Sequence, residues 1–292
     1  MTPADYDFLR KLLKERSGLV LSADKQYLVE SRLLPVAHRF GIAGLGELVQ
    51  RLKGARNEPL ATEVAEAMTT NESFFFRDKL PFEHFRETIM PALLAARPPQ
   101  RPIRIWCAAA STGQEPYSLA MSLKEMGDKI AGRHIDIVAT EFSTQVLEKA
   151  KSGIFSQFEV QRGLPIQLLI KYFDQIGDTW QIKPGVRGMV QFRPFNLLHD
   201  FSRLGPFDLV FCRNVLIYFD QETKSCVLDR IAAIMERDGY LVLGAAETVV
   251  GLSDSFKPLP DRRGVYAPNA AGKVRGNCDA RPGLQLAAAT LR

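Results

Sequence analysis

The sequence predicts an α/β doubly wound domain, preceded by a small all-helical block and carrying a small inserted subdomain. Three observations support this. Five short apolar runs, "IRIWCAAA", "IDIVATEF", "MVQFRPFN", "FDLVFCRN" and "GYLVLGAAE", alternate with helical patterns. Runs rich in Ile, Val, Leu and Phe with little alternation suit parallel strands covered on both faces by helices. Residues 1–68 instead read as successive helices, and about 45 residues separate the second run from the third, more than one crossover needs.

Along the chain, "PADYDFLRKLLKER" places Phe8, Leu9, Leu12 and Leu13 on one helical stripe, with Pro3 tolerated in the first turn and Gly18 near the end. Ser22 is a candidate N-cap for "ADKQYLVESRLLPVAHRF", where Pro35 is expected to kink or divide the element. Two more helices are expected around 45–53 and 59–68. After a helical "KLPFEHFRETIMPALLAA", the breaker "RPPQRP" precedes the first apolar run. The expected division is a helical domain at 1–68, a linker at 69–78 and an α/β domain at 79–268. An insertion at about 152–188 has turns at Gly177 and "KPG". The tail at 269–292 has few large apolar residues and is expected to be disordered.

Composition narrows the function. No apolar run approaches the roughly 20 residues that span a bilayer, and the N-terminus lacks the pattern of a secretory signal, so a cytoplasmic protein without membrane insertion is expected. Cys107, Cys212, Cys226 and Cys278 show no CxxC spacing, and the first three lie in apolar runs, so no disulfide framework is expected. His38, His84, His134 and His199 are scattered without ligand spacing, so no metal site is expected. The net charge is +5, but six Lys or Arg face two Asp from Asp261 onward, while residues 1–75 hold ten of each sign. The basic excess sits largely in the tail, which argues against nucleic acid as a partner.

Ligands of open parallel sheets bind beyond the carboxyl ends of the strands, near the switch in strand order. There the first run ends in "WCAAASTGQEPYSLAM", small residues and a Gly leading into a helix, where backbone can approach a ligand closely. The second ends in Glu141, whose carboxylate can accept from both hydroxyls of a ribose. The fourth ends in "CRNVLIYF", which brings Arg213, Asn214 and Tyr218 to the same edge. A close turn and a strand-end acid would also serve a nicotinamide-dependent oxidoreductase, although GxGxxG is missing. A catalytically silent interaction module is the other alternative.

The stretches "TNESFFFR", "WCAAASTGQEPYSLAM", "ATEFSTQVLEKAKSGIF", "FDLVFCRNVLIYF" and "GYLVLGAAET", in this order, resemble the successive motifs of the CheR family, the bacterial chemotaxis protein-glutamate O-methyltransferases. The resemblance covers residues 1 to about 268. It implies a class I methyltransferase-like sheet and a monomer that uses S-adenosyl-L-methionine, releases S-adenosyl-L-homocysteine, and esterifies glutamates on the cytoplasmic domain of chemoreceptors. By matching position it implies that Asn71, Ser73 and Arg77 line the cofactor from the linker, with Ala108 and Glu115 reaching it from the first strand and helix. Glu141 would hold the ribose, Asn196 and Leu197 the adenine region, and Arg213 and Asn214 would complete the pocket. Arg77 and Tyr218 would serve the reacting groups. The three phenylalanines of "SFFFR" would anchor the linker so that its polar residues face the cofactor. Two features depart from the family pattern. The ribose position is Glu141 where Asp is usual, and "YFDQIGDTWQIKPGVRGMVQF" is shorter than the loop of forms that dock onto a receptor's C-terminal pentapeptide.

Overall fold

The computed structural model describes residues 1–54 and 57–271. The first helix, Pro3–Ser17, opens on a capping box in which Thr2 Oγ1 accepts from Asp5 N (3.2 Å) and Asp5 Oδ2 accepts from Thr2 N (3.2 Å). It stops at Gly18, left-handed with φ 79°. Helices Gln26–Arg39, Leu45–Lys53 and Glu58–Met68 pack on it through Leu9, Leu13, Val29, Leu33, Leu48, Leu60 and Val64. Pro35 does not divide its helix. The buried stripe Val29, Leu33, Val36 and Ala37 holds the segment helical across the one missing N–H. Ser22 makes no cap, because a turn of 3₁₀ helix, Ala23–Lys25, comes first and its hydroxyl bonds Asp24 instead.

The linker is irregular. Phe76, Asp78 and Lys79 adopt φ of 51°, 69° and 49°, so the chain turns tightly there. A helical segment from Leu80 to Ala96, with a π-turn at Phe85–Ile89, leads to the sheet. Its strands are β1 (Ile103–Ala108), β2 (Ile135–Glu141), β6 (Val190–Pro194), β7 (Phe207–Cys212), β8 (Met235–Leu243), β9 (Phe256–Pro258) and β10 (Val265–Pro268). The order is β6-β2-β1-β7-β8-β10-β9. The first five run parallel, whereas β10 is antiparallel to both β8 and β9, so the sheet is mixed. The two last strands are short and carry no distinctive apolar run.

Alternation along β1 feeds two cores. Ile105 and Cys107 join Leu209, Phe211 and the helix Gln114–Met126 on one face, while Trp106 and Ala108 join Val210, Cys212 and the helix Gln221–Ala233 on the other. The insertion is a separate antiparallel sheet of β3 (Ile154–Ser156), β4 (Phe173–Ile176) and β5 (Thr179–Ile182), in the order β3-β5-β4. Cys107 and Cys212 are free and buried. No helix among the described residues is long and apolar enough to cross a membrane. Most of the tail, 272–292, lies outside the described residues.

Candidate active site

The sheet order reverses between β1 and β7, and a cleft opens at the carboxyl ends of these strands and of β2 and β6. It encloses about 960 Å³, part of it open to solvent, and is bounded by the linker and by Ser17 and Leu19 of the helical block. The turn after β1 is strained: Ala109 and Ser111 have φ of 57° and 51°, followed by Gly113 at 95°. Non-glycine residues in this region cost free energy that the surroundings must offset, a pattern that concentrates at functional sites. At Gly113 a Cβ would lie 3.1 Å from the Tyr117 ring and 3.2 Å from Ala150, so the turn can lie close to its helix only with glycine there.

The turn is held by Glu141, at the end of β2. One carboxylate oxygen accepts from Ser111 N (2.9 Å), and the other from Phe142 N (2.8 Å) and Ser143 N (3.1 Å). Burial pushes its pKa up, and these three N–H groups pull against that. Room remains on the carboxylate for another donor, since two oxygens offer about four acceptor sites. Glu115, from the first turn of the helix Gln114–Met126, pairs with Arg213 (2.8 Å), whose guanidinium also binds Asp78 (2.7 Å) and the Arg77 carbonyl (3.0 Å). Burial raises the Glu115 pKa, opposed by Arg213. Arg213 Nε is buried without a partner among the described residues.

The segment from Arg213 to Tyr218 takes its shape from Glu247. That carboxylate accepts from four backbone N–H groups: Asn214 (2.8 Å), Val215 (3.0 Å), Leu216 (2.8 Å) and Gly244 (2.8 Å). Asn214 is thereby held at φ 57°. Tyr218 lies half-buried between the core of the sheet and the helical block, and its carbonyl accepts from Val20 N (2.9 Å).

In the linker, Phe75 packs edge-on against Phe155 (5.0 Å) and Phe173 (5.7 Å) of the insertion, and Phe76 against Phe82 (5.2 Å). Phe74 differs: it lines the cleft, with the guanidinium groups of Arg77 and Arg162 at 5.5 and 4.4 Å from its ring. Arg77 also donates to the Glu72 carbonyl (2.9 Å), and Asn71 accepts from Ser111 Oγ through its carbonyl (2.9 Å). Opposite, Asn196 donates to the Arg16 carbonyl (2.6 Å) and accepts from Leu198 N (2.9 Å).

The cleft thus brings together Asn71, Ser73, Arg77, Glu115, Glu141, Asn196, Leu197, Arg213, Asn214 and Tyr218. Ala108 is the exception. It is buried in the core cluster that contains Trp106, and the cleft wall starts at Ala109, beyond the end of the strand. Sequence reasoning also missed Asp78 and Glu247, exposed-looking acids with no local signature, as well as Ser17 and Leu19, which only docking of the helical block brings near.

Comparison with known proteins identifies the fold's family. The model of the CheR methyltransferase all-alpha domain matches residues 4–69, and that of the CheR methyltransferase SAM binding domain matches residues 71–265. The chain is 44% identical over 268 residues to chemotaxis protein methyltransferase 1 of Pseudomonas aeruginosa, covering 90% of this chain and 96% of that one. With chemotaxis protein methyltransferase 1 of Vibrio cholerae it shares 41% identity over 262 residues (89% and 94% covered), and with the chemotaxis protein methyltransferase of Escherichia coli 34% over 262 residues (88% of each). The helical block, the seven-stranded sheet and the cleft between them are therefore those of a CheR methyltransferase with an S-adenosyl-L-methionine-binding domain, and the chain belongs to that family.

Proposed function

We propose that the protein transfers a methyl group from S-adenosyl-L-methionine to glutamate side chains of chemoreceptors, giving glutamyl methyl esters. The observation that carries this reading is the content of the cleft: the carboxylates of Glu115 and Glu141, two arginines and a tyrosine, with no His or Cys on its walls among the described residues. Burial raises the thiols of Cys107 and Cys212 well above their usual range, so neither is a nucleophile.

The donor set fits the cofactor. Glu141 has acceptor capacity for ribose hydroxyls, Glu115 offers negative charge toward an amino group or sulfonium, Leu19, Phe142 and Leu197 supply apolar wall for a base, and the glycine turn allows close backbone approach. When bound, the cofactor supplies a sulfonium-activated methyl group. A substrate glutamate, with an ordinary pKa of about 4.3, is already ionised at neutral pH and attacks without a general base. Transfer would form the O–CH₃ bond as the C–S bond breaks and would turn a negative and a positive group into a neutral ester and thioether, so no residue of the cleft would need to move a proton. A dry site favours such charge neutralisation.

In this reading Arg77 orients the incoming carboxylate, and its anchorage to Glu72 and Phe74 keeps it from clamping the ground state too firmly. Tyr218, on the cleft wall, would help to position the acceptor oxygen. The hairpin of β4 and β5 closes in two residues, Gly177 and Asp178, which supports a protein that works without docking on a receptor's C-terminal pentapeptide; binding of such a peptide in the micromolar range would overturn that part.

The test is methyl transfer from radiolabelled S-adenosyl-L-methionine to receptor-bearing membranes, followed by mild alkali to release volatile methanol. Base-labile counts that fall in Arg77→Ala support the proposal. Counts stable to alkali, or transfer unaffected by Arg77→Ala, would count against the ester or against the role of Arg77.

A further inference from the structure

Three cofactor-side loops are fastened to the helical block. The Asn196 side chain donates to the Arg16 carbonyl, the Tyr218 carbonyl accepts from Val20 N, and the segment after Glu141 is bound by Glu66. The last contact is a side-chain device with a complete set of partners. Glu66, near the end of helix Glu58–Met68, is 9% exposed. It accepts from Ser143 Oγ (3.0 Å), Thr144 N (3.1 Å) and Thr144 Oγ1 (3.0 Å).

Ser143 sits at the centre of the link. Its N–H donates to Glu141 Oε1 (3.1 Å), while its hydroxyl donates to Glu66 and accepts from Val146 N (3.4 Å) as N-cap of the helix Thr144–Ser152. One 2%-exposed residue therefore joins the carboxylate of the helical block to the carboxylate at the end of β2. Glu66 places negative charge at a helix N-terminus, where the exposed N–H groups favour it. It also ties the rotamer of Glu141 to docking of the helical block, because two of the three N–H groups that orient Glu141, those of Phe142 and Ser143, belong to the segment that Glu66 holds.

We propose that Glu66 is a positioning residue that makes ribose recognition by Glu141 conditional on docking of the helical block. This rests on the reading that Glu141 takes the ribose hydroxyls. By linkage, the cofactor in turn strengthens docking of the helical block. The helical block then serves the cofactor pocket as well as any protein substrate.

The experiment is calorimetric titration of the full chain with S-adenosylhomocysteine and with its analogue lacking the ribose hydroxyls, in wild type, Glu66→Ala, Glu66→Gln and Ser143→Ala. A lost hydrogen bond to a charged group corresponds to roughly a tenfold change in affinity. Glu66→Ala and Ser143→Ala are each expected to weaken S-adenosylhomocysteine about tenfold, to be non-additive when combined, and to bind the analogue as wild type does. Glu66→Gln, which keeps an acceptor for Thr144, should recover part of the loss and remains informative should the alanine variant fail to fold. Unchanged affinity in all variants, or equal loss for both ligands, overturns the proposal. Equal binding of the two ligands by wild type would instead locate the failure in the ribose assignment of Glu141, on which the proposal depends.

Discussion

Glu247→Gln isolates the contribution of one buried carboxylate to the shape of the active-site loop. In the wild type one oxygen takes Asn214 N and Gly244 N, and the other takes Val215 N and Leu216 N, at 2.8 to 3.0 Å. An amide has only one oxygen, so whichever way it is turned its NH₂ faces two N–H donors. Leaving a buried donor unsatisfied costs about 1–3 kcal/mol. Two such groups, partly relieved by movement, should destabilise the protein by about 3 kcal/mol. At about 2–4 °C per kcal/mol for a chain of this class, the melting temperature should fall by about 6–12 °C. Relief by backbone movement would displace Asn214 and Tyr218, so S-adenosylhomocysteine affinity should fall as well. Scanning calorimetry with and without the ligand reads both. A variant within about 0.5 kcal/mol of wild type, the range of ordinary surface substitutions, would refute the claim that this carboxylate holds the loop.

Gly163→Ala is expected to be severely destabilising, or to expel the linker, because at φ 85° its Cβ would lie 2.1 Å from the Phe75 carbonyl oxygen; urea unfolding checks it, and a loss under about 1 kcal/mol would show that the insertion and linker can separate freely. Asp220 caps the helix Gln221–Ala233 and pairs with Lys14 of the helical block at 2.6 Å. Burial raises its pKa, but hydrogen bonds from Lys14 and Thr223 outweigh this and hold it at about 2. Its folded pKa is depressed, so its contribution is present above the unfolded value of about 3.9 and is lost as pH falls toward 2. Asp220→Asn keeps the cap but loses the charge, so it should be less stable than wild type by about 1 kcal/mol near pH 7, with the gap closing between about pH 4 and 2; a gap independent of pH would reject the charge as its origin. The chemical step, measured in single turnovers, should plateau above about pH 6 if the nucleophile is the proposed glutamate carboxylate. A steep rise between pH 7 and 9 would point to a catalytic base.

Much of this site was legible because strand ends are written locally. Apolar runs such as "FDLVFC" mark the strands, and the polar residues just beyond them, Glu141, Arg213 and Asn214, must appear at one edge of a parallel sheet. The resemblance to the CheR motifs added linker residues that no periodicity indicates. Ala108 is buried with Trp106, and the cleft wall starts one residue later, at Ala109, a distinction that motif position alone does not make. The central prolines and caps were only partly legible: Pro35 sits inside a helix whose continuation is decided by its packing on Leu9 and Leu13.

The sequence by itself determined the elements, the order in which they occur and the set of groups available for chemistry, because periodicity, turn residues and strand-end side chains act over a few positions. Tertiary structure decided which acids become functional. Glu66, Asp78 and Glu247 look like ordinary solvated carboxylates in the sequence, and they take donors from Ser143, Arg213 and Asn214, which lie 77, 135 and 33 residues away respectively. Hydrogen bonding and desolvation depend on neighbours in space, and in a two-part cleft those neighbours exist only after the helical block has docked against the sheet.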